Sequence, residues 1–245
     1  MFNNKSVKII PSAITCLNLT FGFLAILVNE PEISCLLIMA GAVMDIFDGL
    51  AARMLNATSE LGKQLDSLAD LVTFGIAPAF LMYAVMPHNW LGLMAANCIP
   101  VGAAIRLARF NICTDQTLVF KGLPSPSNGL FFAAFPLLVI NGFFSEGCSS
   151  TFIILPVFFA VLMNLNIPFF SLKTLKFGIR NNLALLALIL ISAVIVTGMM
   201  GLTKTNVLVA ILGSIPFIIL AYFLVSVLFI KQIRKTATLG SQGVH

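Results

Sequence analysis

Four aspartates set the chemistry this chain can do. In the stretch DIFDGLAARMLNATSELGKQLDSLAD, residues 45–70, Asp45 and Asp48 are three residues apart and Asp66 and Asp70 are four apart. On a helix each pair shares one face. Carboxylates held that close repel one another and disfavour shared ionisation, so they call for a counter-charge. Their oxygens suit hard divalent cations, Mg²⁺ or Mn²⁺, and with no His or Cys nearby zinc does not fit. The expected metal ligands are therefore Asp45, Asp48, Asp66 and Asp70. Gly49, Ala52 and Arg53 continue the first face, and Gly62 lies one turn before Asp66. The small residues Gly49, Ala52 and Gly62 leave room for a ligand or a helix to approach.

The elements that must position these acids lie in lipid. Hydrophobic residues make up 59% of the 245 positions and charged residues only 9%, against roughly a quarter charged in soluble domains. So few charges cannot solvate a water-facing surface. The expected fold is all-α, a polytopic integral membrane helix bundle with about eight spans of ~20 residues. They fall at 10–28, 33–55, 64–86, 90–110, 126–144, 150–167, 182–202 and 206–230. We read residues 1–235 as a single membrane-embedded domain and 236–245 as a polar tail. The apolar run from Ile14 to Val28 has no small-residue cleavage site, so it reads as a retained span. The five scattered cysteines form no CxxC pair and read as apolar filler.

Basic residues orient the bundle. With the N-terminus inside, thirteen of the fourteen Lys and Arg residues collect on the cytoplasmic side and only Lys204 on the other, a positive-inside pattern. Both termini are then cytoplasmic. The net charge of +5 reads as topology and attraction to anionic lipid, and no nucleic-acid partner is expected. Span two runs inward, span three starts inside, and the turn between them is short. All four acids then meet at one cytoplasmic depth. A charge in mid-bilayer costs about 2.5–3.5 kcal/mol on insertion scales, so such a cluster needs a function. A proton or ion transporter is the rival from another class, but it would place acids along a path to both sides. His88 and Trp90, on the opposite side, read as interfacial anchors.

Asp45, Asp48, Gly49, Ala52, Arg53, Gly62, Asp66 and Asp70 resemble the CDP-alcohol phosphotransferase motif, D-x2-D-G-x2-A-R-x8-G-x3-D-x3-D, at every motif position. The resemblance implies a CDP-linked lipid whose diphosphate sits on a divalent metal held by the aspartates. It implies that Asp45, Asp48 and Asp66 are the principal metal ligands, and that Asp70 is the general base and lies close to a second metal position. It also implies that Asp48, Gly49, Ala52, Arg53, Gly62 and Asp66 line the nucleotide and CDP-lipid site. Ser59, in the turn where the family contacts the nucleotide, joins them by the same resemblance. Thr15 and Asn18 lie in PSAITCLN, which resembles a family segment near the nucleotide, although Pro11-Ser12 stands where a Pro-Asn pair is common. The other reading for these two is a helix–helix hydrogen bond. The family also implies a homodimer.

Three further segments, DSLADLVTFGIAPAF, AIRLARFN and FKGLPSP, resemble phosphatidylserine synthases of the multi-span, CDP-diacylglycerol-dependent type. The expected substrates are then CDP-diacylglycerol and L-serine, with phosphatidylserine and CMP as products. Glycerol 3-phosphate and inositol phosphate are the alternative acceptors. Arg106 and Arg109 read as captors of the serine carboxylate or a lipid phosphate, since planar guanidinium donors suit both, or as snorkelling residues at a span end. Lys121 joins them as a candidate. Lipid synthesis on a cytoplasmic face fits a prokaryotic inner membrane.

Overall fold

The computed structural model describes residues 4–112, 120–144, 146–165, 168–169, 183–202 and 206–228. Nine α-helices occupy most of them: α1 (Asn4–Val28), α2 (Pro31–Met54), α3 (Glu60–Leu71), α4 (Ala77–Ala84), α5 (Trp90–Ile112), α6 (Ser125–Ile140), α7 (Ile154–Asn164), α8 (Leu183–Leu202) and α9 (Val207–Leu228). A π-helical turn, Val72–Ile76, fuses α3 to α4, and a 3₁₀ helix, Glu146–Ile153, leads into α7. The one strand pairing among the described residues is a two-residue antiparallel pair, β1 (Phe120–Lys121) with β2 (Pro168–Phe169), which the sequence did not announce. The tail 236–245, the basic segment carrying Lys173, Lys176 and Arg180, and Lys204 lie outside the described residues.

This is an integral membrane protein. Five helical stretches are long and apolar enough to cross a bilayer: Ile9–Val28, Pro31–Met54, Glu60–Ala84, Trp90–Ile112 and Val207–Val227. Three shorter apolar helices accompany them, Ser125–Ile140, Ser150–Asn164 and Ala187–Gly201. These eight match the expected spans one for one, with shifted ends. The third begins at Glu60 rather than 64 because Ser59 caps it, and the fifth stops at Ile140 rather than 144. Large apolar side chains such as Phe23, Leu27, Ile46, Leu190 and Val194 stand exposed along the bundle, as lipid-facing residues do.

Local chemistry explains how the first three helices turn. Asn29 takes a positive φ of 51°, a conformation asparagine tolerates better than most residues. Glu30 is extended because Pro31 follows it, and Pro31 starts α2, where its missing N–H costs nothing. At the other end of α2, Asn56 has φ 48°. The Asn56 N–H bonds the Arg53 carbonyl at 3.2 Å and the Ala57 N–H bonds the Ala52 carbonyl at 2.9 Å, a Schellman closure. Ser59 then caps α3 by accepting from the Gly62 N–H at 3.0 Å. Two signals a few residues apart make the turn tight, and α1 packs along both α2 and α3.

The interior has two characters. Helix α6 is buried along most of its length, and its Phe131, Phe132 and Phe135 interlock with Phe159 of α7 and with Phe152. The Phe131 and Phe159 rings stack at 4.3 Å, within the range of favourable aromatic pairs. The second part, around the π turn, is close-packed against backbone. A Cβ on Gly22 would lie 2.7 Å from Thr73 Cα, one on Gly41 2.6 Å from Thr73 Cγ2, and one on Gly129 2.7 Å from Phe74 Cα. Glycines from α1, α2 and α6 thus let three helices close on the turn, the small-residue packing typical of bilayers.

Candidate active site

The two acid pairs converge. Asp45 and Asp48 come from the last turns of α2, Asp66 and Asp70 from α3, and the capped turn between them holds both at one end of the bundle. One carboxylate oxygen from each of Asp45, Asp48 and Asp66 lies within 4.8 Å of the other two. Asp48 is only 6% exposed and Asp70 7%. Asp66 Oδ1 is buried with no hydrogen-bond partner among the described residues. Three hard oxygens gathered this closely, with an orphaned oxygen on Asp66, fit a divalent cation of the Mg²⁺ class. Asp70 stands beside that trio and is not one of the three.

Helix α1 supplies the polar neighbours of the acids. Thr15 Oγ1 donates to Asp48 Oδ2 at 2.7 Å and also lies 3.0 Å from the Pro11 carbonyl. Asn18 Nδ2 donates to Asp70 Oδ1 at 3.2 Å, while Asn18 Oδ1 is buried and unpartnered among the described residues. Thr73 Oγ1, in the π turn, donates to the Asn18 carbonyl at 2.9 Å. The helix-to-helix reading of Thr15 and Asn18 is therefore met, but their partners are the motif aspartates themselves. Residues that sequence spacing left open orient the acids. π turns inside helices recur at functional sites, and this one begins two residues after Asp70.

The remaining motif positions divide by exposure. Around Gly49 the face is open: a Cβ there would meet only Arg53 Nη2, at 3.8 Å. Arg53 is exposed, and its Nε donates to the Gly49 carbonyl at 2.9 Å, which leaves the outer edge of the guanidinium toward that open face. Ala52 is half-buried. Ser59 and Gly62 close the cap of α3 on each other, so their observed contacts are to the turn itself.

Arg106 and Arg109 part company despite their spacing. Arg106 Nη1 donates to Ser125 Oγ at 2.7 Å, and its Nε is buried without a partner among the described residues. Its guanidinium is within electrostatic reach of Asp70 and of Tyr222 in α9. Arg109 is exposed and donates to the Asn164 carbonyl at 3.1 Å, tying α5 to α7. Lys121 pairs by its backbone with Pro168, and its side chain lies outside the described residues. Asn111 Nδ2 donates to Ser67 Oγ at 2.9 Å, and Lys63 Nζ to the Asn111 carbonyl at 2.9 Å, fastening α5 to α3. Ser125, Asn128 and Asn111 were not anticipated. A polar residue at the end of an apolar run is the signal that marks each of them.

Comparison with known proteins gives the same direction. The family model for CDP-alcohol phosphatidyltransferase matches residues 8–162, which contain all four aspartates. A CDP-diacylglycerol–serine O-phosphatidyltransferase of Helicobacter pylori (strain J99) is 32% identical over 230 residues, covering 91% of this chain and 95% of that protein. Proteins of the same name are similar in Bacillus subtilis, at 41% over 126 residues (49% of this chain, 71% of that protein), and in Methanocaldococcus jannaschii, at 38% over 139 residues (57% and 66%). With the aspartate motif assembled in space and the family model covering more than half its length, the chain belongs to the CDP-alcohol phosphatidyltransferase family.

Proposed function

We propose that this protein transfers the phosphatidyl group of CDP-diacylglycerol to L-serine, giving phosphatidylserine and CMP. The observation that carries the reading is the convergence of Asp45, Asp48 and Asp66 within 4.8 Å beside the buried Asp70. The near full-length similarity to a serine-transferring relative supports serine as the acceptor.

Asp45, Asp48 and Asp66 would hold Mg²⁺ or Mn²⁺, and the bound ion would neutralise the diphosphate and improve CMP as a leaving group. Asp70, steadied by Asn18, accepts the proton of the serine hydroxyl as that oxygen attacks the phosphatidyl phosphorus. The bond from phosphorus to the CMP oxygen breaks, and its electron pair leaves with CMP. Thr15 fixes the orientation of Asp48. The open face at Gly49 and Ala52 admits the nucleotide, Arg53 meets its phosphates, and Ser59 and Gly62 shape the turn beside it. Arg106 takes the serine carboxylate. Arg109 and Lys121 serve lipid phosphate.

The excess of basic residues on one side supports a cytoplasmic site with both termini inside, as in a prokaryotic inner membrane, and family membership supports a homodimer. One reaction tests the acceptor. Purified protein receives CDP-diacylglycerol with equal L-serine, glycerol 3-phosphate and inositol phosphate, and products are resolved by mass. Phosphatidylserine is the expected product. Preferential formation of a phosphatidyl-alcohol phosphate would overturn the serine assignment.

A further inference from the structure

A second polar cluster is carried by α5 and α6, with Arg106 within electrostatic reach of Asp70. Asn128, in the first turn of α6, is 1% exposed, and both its Nδ2 and its Oδ1 are without a partner among the described residues. A fully buried amide with both ends unpaired is uncommon and asks for a ligand. Arg106 adds an unpartnered buried Nε, and Ser125 holds its other end at 2.7 Å. No side chain caps this end of α6, where Pro124 precedes the first turn, so its free N–H groups add partial positive charge. Gly129, the next residue, packs on Phe74 of the π turn that follows Asp70. The cluster is thus adjacent to the proposed base.

We propose that Asn128, Arg106 and Ser125 form the subsite for the α-amino and α-carboxylate groups of the acceptor amino acid. This rests on the serine-transfer reading and extends it to the groups that select serine. Arg106 pairs with the carboxylate, Ser125 fixes the guanidinium, and Asn128 Oδ1 accepts from the ammonium. Charge explains the choice. One guanidinium with one neutral amide matches a zwitterion, whose own ammonium balances its carboxylate. A phosphorylated alcohol brings about −1.5 to −2 charges and would need another buried cation where Asn128 stands. Arg109, exposed and bonded to Asn164, does not supply it.

The experiment compares wild type with Asn128→Leu and Asn128→Asp in purified protein. It measures KM for serine, KM for CDP-diacylglycerol, and competitive inhibition by L-alanine, which has both groups but no hydroxyl, and by propionate, which lacks the ammonium. In wild type L-alanine inhibits better than propionate. In Asn128→Leu the serine KM rises about tenfold, as for a lost hydrogen bond to a charged group, while the CDP-diacylglycerol KM stays put. The advantage of L-alanine over propionate disappears. Asn128→Asp keeps an acceptor of the same size, so L-alanine gains on propionate by about threefold or more. A serine KM within twofold of wild type in Asn128→Leu would overturn the subsite. If that variant does not fold, an unchanged inhibitor ratio in Asn128→Asp overturns it. Absence of serine-dependent CMP release in wild type would instead sink the proposed function.

Discussion

The acid-bearing junction of α1, α2 and α3 and the phenylalanine core of α6 and α7 are built on opposite principles. In the junction, like charges are gathered and buried polar atoms are left short of partners, Asp66 Oδ1 and Asn18 Oδ1 among them. That arrangement costs stability and calls for a counter-charge. In the core, aromatic rings contact one another several at a time, and dispersion contacts accumulate between groups that need no hydrogen bond. The unpaired polar atoms of these two helices, on Asn128 and Asn164, stand at their end turns. Damage to the junction should therefore show in turnover, and damage to the core in thermal stability.

The largest effect is expected at the junction's centre. Asp48→Asn removes one of the three converging oxygens and should lower kcat/KM on the order of a thousandfold, equivalent to ~4 kcal/mol. Its Tm without metal should not fall, because a repulsion is relieved. Steady-state assays with thermal shift would check both, and a large loss of Tm would erase the distinction between the two regions. Asp70→Asn should reduce kcat by about 10²–10³, within the usual range for a positioned base. Mn²⁺ binding, followed by electron paramagnetic resonance, should persist because the trio is intact.

Smaller effects probe the supports. In Gly22→Ala the new Cβ would lie 2.7 Å from Thr73 Cα, so the π turn must shift, and Asp70 with it. A displacement near 1 Å can cost about a hundredfold in rate, and we expect ~10–100-fold with a modest fall in Tm. Thr15→Val loses the hydrogen bond to Asp48 and should weaken Mn²⁺ affinity about tenfold, as removal of a ligand's hydrogen-bond partner commonly does. Last, Phe159→Ala should lower Tm by ~10 °C, from ~3 kcal/mol of lost packing. Its kcat in the folded fraction should stay within about twofold. A kcat loss comparable to that of Thr15→Val would mean that the core also shapes the site.

Much of the junction was legible because it is local in sequence. Helical spacing placed Asp45 with Asp48 and Asp66 with Asp70, and the short connector returned the chain to the same end of the bundle, where α1 packs against both helices. The connector's own signals, Asn56 for a left-handed C-terminus and Ser59 as an N-cap, stand in the sequence and account for the early start of α3. The core was legible only as apolar runs, since nothing in their composition selects which rings meet. The π turn carries no marker of its own, because what stabilises it is the approach of glycines from three distant helices. Arg106 and Arg109 sit three apart, yet one is half-buried on Ser125 and the other exposed on Asn164. Packing of α6 and α7 decides that, and spacing along α5 does not. Asn128 went unnoticed for the same reason, since its burial depends on neighbours far away in the chain.

The central claim is that the aspartate junction directs a serine hydroxyl onto the phosphatidyl phosphorus with metal assistance. It is tested most directly by counting products from purified protein given CDP-diacylglycerol, L-serine and Mn²⁺ or Mg²⁺. The account predicts one CMP for each phosphatidylserine, with both lost when serine is omitted or the metal is chelated. Release of CMP that survives chelation, or that proceeds at full rate without serine, would contradict it.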